Sequence, residues 1–144
     1  MSKQSPILLA EDDLVDVMTV KRAFTQYRLA NPLYVVANGA EALAFLRNEG
    51  NYADPAAAPR PGLILLDLNM PIMGGLEFLQ IVKDDSRLRT IPVIVLTSSK
   101  EESDLMASYH LSVAGYIVKP VDFNKFLDVV RAIDAYWSIC ELPQ

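Results

Sequence analysis

Acidic and basic side chains gather where the hydrophobic runs of this chain stop. Glu11, Asp12 and Asp13 follow directly on Ile7 to Ala10, Asp67 follows Leu63 to Leu66, Thr97 follows Val93 to Leu96, and Lys119 follows Gly115 to Val118. A charged residue directly after the run LILL is costly to bury without partners, so Asp67 reads as a functional carboxylate. Carboxylates brought to one place raise one another's pKa values, and their clustering implies a compensating positive charge. Two candidates fit. One is Lys119, whose flexible ammonium suits a carboxylate or a phosphate. The other is a hard divalent cation, for which oxygen ligands and retained waters point to Mg²⁺ over zinc or copper. His110 and Cys140 are the only residues of their kinds, so no His/Cys cluster is available. Asp13 fits equally as a site carboxylate or as the cap of a following helix. Met70 and Met73 read as loop packing, His110 as a residue near a helix C-terminus, and Tyr116 as a half-buried packing aromatic.

The elements that would position these residues follow from the hydrophobic pattern. Short apolar runs alternate with amphipathic stretches along the whole chain, the signature of an α/β domain with a parallel sheet. Five strands are read at Ile7–Ala10, Leu33–Ala37, Leu63–Leu66, Val93–Leu96 and Gly115–Val118, mostly continuous Ile, Leu and Val as strands covered on both faces require. Val17, Val20, Phe24 and Tyr27 recur at helical spacing, as do Phe123, Phe126, Leu127, Val130, Ile133 and Trp137. Ser99 with Glu102 makes a capping box, and Asp122 can cap the last helix. Asn38 and Gly39 read as the turn out of the second strand. In a parallel sheet ligands bind outside the carboxyl ends of the strands, which is where Glu11, Asp12, Asp67, Thr97 and Lys119 fall.

The 144 residues leave room for one domain, and 51% hydrophobic against 22% charged residues is a globular balance with enough apolar material for a core. A net charge of −5 has the wrong sign for a bulk phosphate-backbone binder. No run approaches the length of a membrane span, and the start MSKQSP lacks the apolar stretch of a signal peptide, so a reducing cytoplasm is the expected compartment. Residues 50–62, GNYADPAAAPRPG, form the one long connection, with three prolines that predict a semi-rigid inserted loop.

Four motifs, ILLAEDD at Ile7–Asp13, LILLDLNMPIMGGLEFL at Leu63–Leu79, VIVLTSS at Val93–Ser99 and GYIVKP at Gly115–Pro120, resemble in order and spacing the receiver domain of two-component response regulators. The resemblance covers nearly the whole of 1–144, read as a single receiver domain with no output domain. It implies a five-stranded parallel sheet of order 2-1-3-4-5 with helices on both faces, a flavodoxin-like fold. It makes Asp67 the phosphoryl acceptor. It has Mg²⁺ held by Asp12, Asp67 and the Asn69 backbone carbonyl, with Glu11 acting mainly through water. Thr97 and Lys119 correspond to the groups that contact phosphoryl oxygens, and Tyr116 to the switch aromatic that moves with Thr97. The implied donor is a histidine kinase. The Pro-rich loop and the ending YWSICELP look like the regulators paired with bacterial phytochrome kinases. Such a chain is no turnover enzyme: it is a phosphoryl acceptor that catalyses only its own phosphotransfer and autodephosphorylation. Ser98 in place of the commoner Ala or Gly, and Val121 in place of an aromatic, are small departures. The alternatives are a phosphorylation-independent binding module and a small Mg²⁺-dependent phosphatase. Against the second, DLN lies on the third strand where such phosphatases carry D-x-D on the first. A flavodoxin-like cofactor binder fails because acids stand where a phosphate loop would be.

With no DNA-binding domain and no membrane segment expected, the phosphorylation signal must be read from the receiver's own surface. Tyr136, Trp137, Ile139 and Leu142 extend the last apolar stripe, and such a surplus marks an interface. A homodimer is expected, weakened by truncation after Ala135; light scattering during gel filtration checks it, and a monomer at high micromolar concentration refutes it.

Overall fold

The computed structural model describes residues 5–26 and 28–119, together with 124, 125 and 128. Pro120, Val121, Asp122, Phe123, Tyr27, most of the final helical stripe and the Tyr136–Leu142 tail therefore lie outside the described residues. The elements run β1 (Ile7–Ala10), α1 (Leu14–Gln26), β2 (Leu33–Val36), α2 (Gly39–Arg47), β3 (Leu63–Asp67), α3 (Gly75–Asp84), β4 (Val93–Thr97), α4 (Lys100–Ala107) and β5 (Gly115–Val118). All strand pairs are parallel and the order is β2-β1-β3-β4-β5, as expected. Among the described residues no helix is long and apolar enough to cross a membrane.

Side chains alternate across the sheet and divide the core in two. On one face Leu8, Ala10, Ile64, Leu66, Val93 and Val95 pack with Leu43 and Phe45 of α2, Phe78, Leu79 and Val82 of α3, and Met106 of α4. On the other, Ile7, Leu9, Leu63, Leu65, Ile94 and Leu96 pack with Val17, Val20, Ala23 and Phe24 of α1. Each central strand is thus buried on both sides, which explains its unbroken apolar sequence.

Three strand boundaries differ from the sequence reading. β3 and β4 run one residue further, to Asp67 and Thr97, because these residues still pair in the ladder with Leu96 and Val118. β2 stops at Val36. Asn38 and Gly39 make no free turn: Asn38 caps α2, its Oδ1 accepting from the Glu41 amide at 2.9 Å, and Gly39 is the first helical residue. The 50–62 connection is pinned to the body. It opens with a 3-10 turn at Gly50–Tyr52, and the Tyr52 ring lies 5.4 Å from that of Phe45. Asn48, in the left-handed region at φ 53°, donates its side-chain amide to the carbonyls of Tyr52 (3.1 Å) and Ala58 (2.8 Å). Arg60 donates to the Arg87 carbonyl at 2.7 Å.

The chain turns from β3 into α3 under tight steric limits. A Cβ on Gly75 would stand 2.5 Å from the Asp67 carbonyl oxygen and 2.8 Å from Leu68 Cα, both backbone atoms that cannot swing aside. Gly75→Ala is therefore expected to cost about 1–3 kcal/mol of stability, as overpacking does, read as a lowered urea midpoint.

Candidate functional site

The register of the sheet sets the site. Ala10 pairs with Leu66, so Glu11 stands beside Asp67; Thr97 pairs with Val118, so Lys119 is the next residue out. The Lys119 amide continues the ladder to the Thr97 carbonyl at 2.7 Å. Residues far apart in sequence thereby meet at one carboxyl edge.

Lys119 takes the charge-compensating role. Its Nζ lies 2.7 Å from Glu11 Oε1, 2.8 Å from Asp16 Oδ2 and 3.1 Å from Asp67 Oδ1. Glu11 and Asp67 are each 2% exposed, and Thr97 is fully buried. One ammonium does not balance this set. Burial, reinforced by Asp67 beside it, pushes the Glu11 carboxyl up to about 8 against the pull of Lys119. Burial works against the Lys119 charge, but Asp16, Glu11 and Asp67 outweigh it and hold the ammonium's pKa well above its usual value.

The site fits a hard cation and a phosphoryl group. Carboxylate oxygens of Glu11, Asp12 and Asp67 lie within 4.8 Å of one another, an all-oxygen donor set with Asp12 on its exposed side. Among the described residues, Glu11 Oε1 and Asp67 Oδ1 are buried without an aligned hydrogen-bond donor, and Thr97 Oγ1 is buried with no partner. Such orphaned atoms cost free energy unless a ligand satisfies them. A groove of about 690 Å³ along α3, lined by Arg47, Glu77, Gln80, Ile81 and Asp84, lies apart from these residues.

The other sequence expectations sort as follows. Asp13 is a cap: its Oδ1 accepts from the amides of Val15 (2.8 Å) and Asp16 (3.4 Å). Asn69 is exposed, and its side-chain amide reaches the Glu102 carboxylate at 3.3 Å. Tyr116 is half-buried against the core face that also carries Val95, its partner in register. Met70 and Met73 pack on that same core. His110 lies just past α4, its amide bonded to the Ala107 carbonyl at 3.1 Å. Asp16 went unread. Its position one helical turn after the Asp13 cap looks like an ordinary first-turn acid, and its bond to Lys119 spans 103 residues.

The chain is similar to known proteins in sequence and in fold. The response regulator receiver domain family matches residues 7–131. The response regulator Rcp1 of Synechocystis sp. is 38% identical over 131 residues, covering 91% of this chain and 87% of that protein; the Mn²⁺-bound form of Rcp1 superposes with a TM-score of 0.74. The bacteriophytochrome response regulator RtBRR is 44% identical with a TM-score of 0.83, covering 89% of this chain and 76% of that one. The phosphorylated cyanobacterial phytochrome response regulator RcpA is 39% identical with a TM-score of 0.77, covering 98% and 99% of the two chains.

The Glu11 environment predicts a pH dependence. Its carboxyl titrates near 4.5 when unfolded and near 8 in the fold, so between those values the folded chain holds a proton that the unfolded chain releases. Stability must then fall as pH rises through that window. Urea unfolding at pH 5 and pH 9 is expected to show the fall in the metal-free protein, and Glu11→Gln to flatten it.

Proposed function

Because this chain belongs to the response regulator receiver domain family, we propose that Asp67 is its phosphoryl acceptor and that the Lys119, Thr97 and acidic-pair geometry serves that transfer. Receiver domains act in phosphorylation-based two-component signalling, and the observation that carries the assignment to Asp67 is its burial at the end of the central strand, 3.1 Å from the Lys119 ammonium.

The chemistry follows from the charges. An Asp67 carboxylate oxygen attacks phosphorus in line, the phosphorus–nitrogen bond of a phosphohistidine breaks with its electron pair going to the imidazole nitrogen, and the imidazole stays on the kinase as its histidine side chain. Lys119 then balances charge on the phosphoryl oxygens, with Asp16 and Glu11 keeping its ammonium at the site. The orphaned Thr97 hydroxyl gains an acceptor. Asp12, Asp67 and the Asn69 carbonyl would hold Mg²⁺, with Glu11 beside them, and the ion supplies neutralisation of the transferring group's negative charge. Thr97 and Tyr116 lie on the same face of the sheet by strand parity, which supports reading them as the coupled switch that reshapes the surface around α4 and β5.

Receiver domains are signalling proteins, and this one is read as catalysing only its own phosphorylation and autodephosphorylation. The similarity to the phytochrome response regulators RtBRR and RcpA supports a phytochrome-type histidine kinase as donor; a cytoplasmic setting and a second copy of the chain as the other partner belong to the same proposal. Acetyl phosphate with Mg²⁺ is expected to add one phosphoryl group by intact mass. Asp67→Asn should abolish the addition and Asp12→Ala should slow it strongly, whereas Asp13→Ala should mainly weaken the start of α1. A phosphorylated Asp67→Asn protein, or uptake indifferent to chelation, would overturn the assignment.

A further inference from the structure

Two helices of this fold begin with the same device, and the difference between them is informative. Asn38 and Ser99 each accept from the amide three residues on, at 2.9 and 3.1 Å. Glu41 and Glu102 each turn back to the amide just before the cap, that of Ala37 at 3.1 Å and that of Ser98 at 3.0 Å. There the likeness ends. The second oxygen of Glu41 accepts from the Tyr52 hydroxyl at 3.1 Å, in the inserted loop. Glu102 instead also accepts from the Ser98 hydroxyl at 3.0 Å and from the Asn69 side-chain amide at 3.3 Å. Capping α4 requires neither contact. Together they tie the residue after Thr97 to the residue two beyond Asp67. Burial pushes the Glu102 carboxyl up, but the Ser98 amide, the Asn69 amide, the Ser98 hydroxyl and the Lys119 charge outweigh it and hold it below the usual range.

We propose that Glu102 is a positioning residue that latches Ser98 and Asn69 together in the resting state, and that this latch must open for the Thr97 hydroxyl to reach a phosphoryl group on Asp67. The inference rests on Asp67 being the acceptor. Strand parity supplies the reason for movement. Thr97 follows Val93 and Val95 on the face of α2 and α3, whereas Asp67 follows Leu63 and Leu65 on the face of α1. The hydroxyl starts on the far side of the sheet from the carboxylate it is to serve, so the 97–98 backbone has to shift, and Glu102 holds both donors of Ser98. Its negative charge, felt at Lys119, also opposes an incoming dianion. Both effects have the same sign: Glu102 weakens the phosphorylated state.

The test uses the full chain and three variants, Glu102→Ala, Glu102→Gln and, as a control for charge alone, Glu101→Gln on the exposed neighbour. In the free protein, Glu102→Ala is expected to move the amide NMR signals of Ser98 and the Asn69 side chain while Glu101→Gln leaves them in place. Beryllofluoride with Mg²⁺ then serves as the phosphoryl mimic. Its affinity is expected to rise about fivefold in Glu102→Ala, the worth of one hydrogen bond, less in Glu102→Gln, and not at all in Glu101→Gln. Unmoved Ser98 and Asn69 signals in both Glu102 variants would show that there is no latch. Moved signals with an affinity unchanged or lowered would show that the latch does not oppose phosphorylation. A wild-type chain that takes up neither beryllofluoride nor a phosphoryl group would strike the Asp67 assignment itself, and the role of Glu102 with it. If Glu102→Ala fails to fold, Glu102→Gln carries both measurements alone.

Discussion

Two carboxylates, Glu11 and Asp67, stand side by side at the end of adjacent central strands with almost no water and one ammonium between them. Nothing about packing calls for this. An apolar pair would satisfy the sheet better, since burying charges costs more than their pairing returns unless every oxygen is satisfied. Here Glu11 Oε1 and Asp67 Oδ1 have no aligned hydrogen-bond donor among the described residues, and burial raises the Glu11 carboxyl. The structure around the pair acts to hold it: strand register keeps the two carboxylates level, α1 brings Asp16 to share Lys119, and Gly75 lets α3 begin close beneath the Asp67 carbonyl. A site kept in electrostatic deficit is prepared for cations and for the phosphoryl oxygens that accompany them.

How much of this was legible in the sequence depended on whether the signal was local. LILLD announced both β3 and the buried carboxylate that ends it, because five residues suffice to show an apolar run broken by a charge. The five strands and their order followed from the same kind of pattern together with the family motifs. Asn38 shows the limit from the other direction. N-x-x-E from Asn38 to Glu41 is the same capping signal as Ser99 to Glu102, yet the Asn-Gly pair resembles a turn, and the helix start was hidden behind it. Asp16 was illegible on physical grounds. Its partner Lys119 follows directly on β5, and only the closed sheet brings the two within 2.8 Å. The second role of Glu102 is of the same kind, since Asn69 is a neighbour only after β3 and β4 have paired.

The inserted loop carries a similar lesson about composition. Three prolines and four alanines describe a surface excursion, and residues 53–57 are indeed all exposed. What fixes it is Asn48, a single polar side chain whose left-handed backbone lets it end α2 and donate to two loop carbonyls at once. Tyr52 completes the anchorage through Phe45 and Glu41. A loop so attached adds area beside α2, and its last amide, Gly62, bonds the Pro6 carbonyl at the entry to β1 at 2.8 Å.

The two sides of the segment that leaves β3 are held by different forces, and this gives the molecule a mechanical direction. Toward α2, the Gly39 amide bonds the Met73 carbonyl at 2.9 Å, and the Met73 side chain fills the space where a Gly39 Cβ would stand, 2.8 Å from its Cγ. That side is riveted by close steric fit. Toward α4, among the described residues, the same segment is joined by the exposed side-chain amide of Asn69. If Asp67 takes up a phosphoryl group as proposed, the side toward α4 is the one free to yield, as load passes from a clamped edge to a hinged one. The chain has a fixed bank and a working bank, and a reporter peptide spliced at 53–57 would ride on the fixed one, blind to the state of the site.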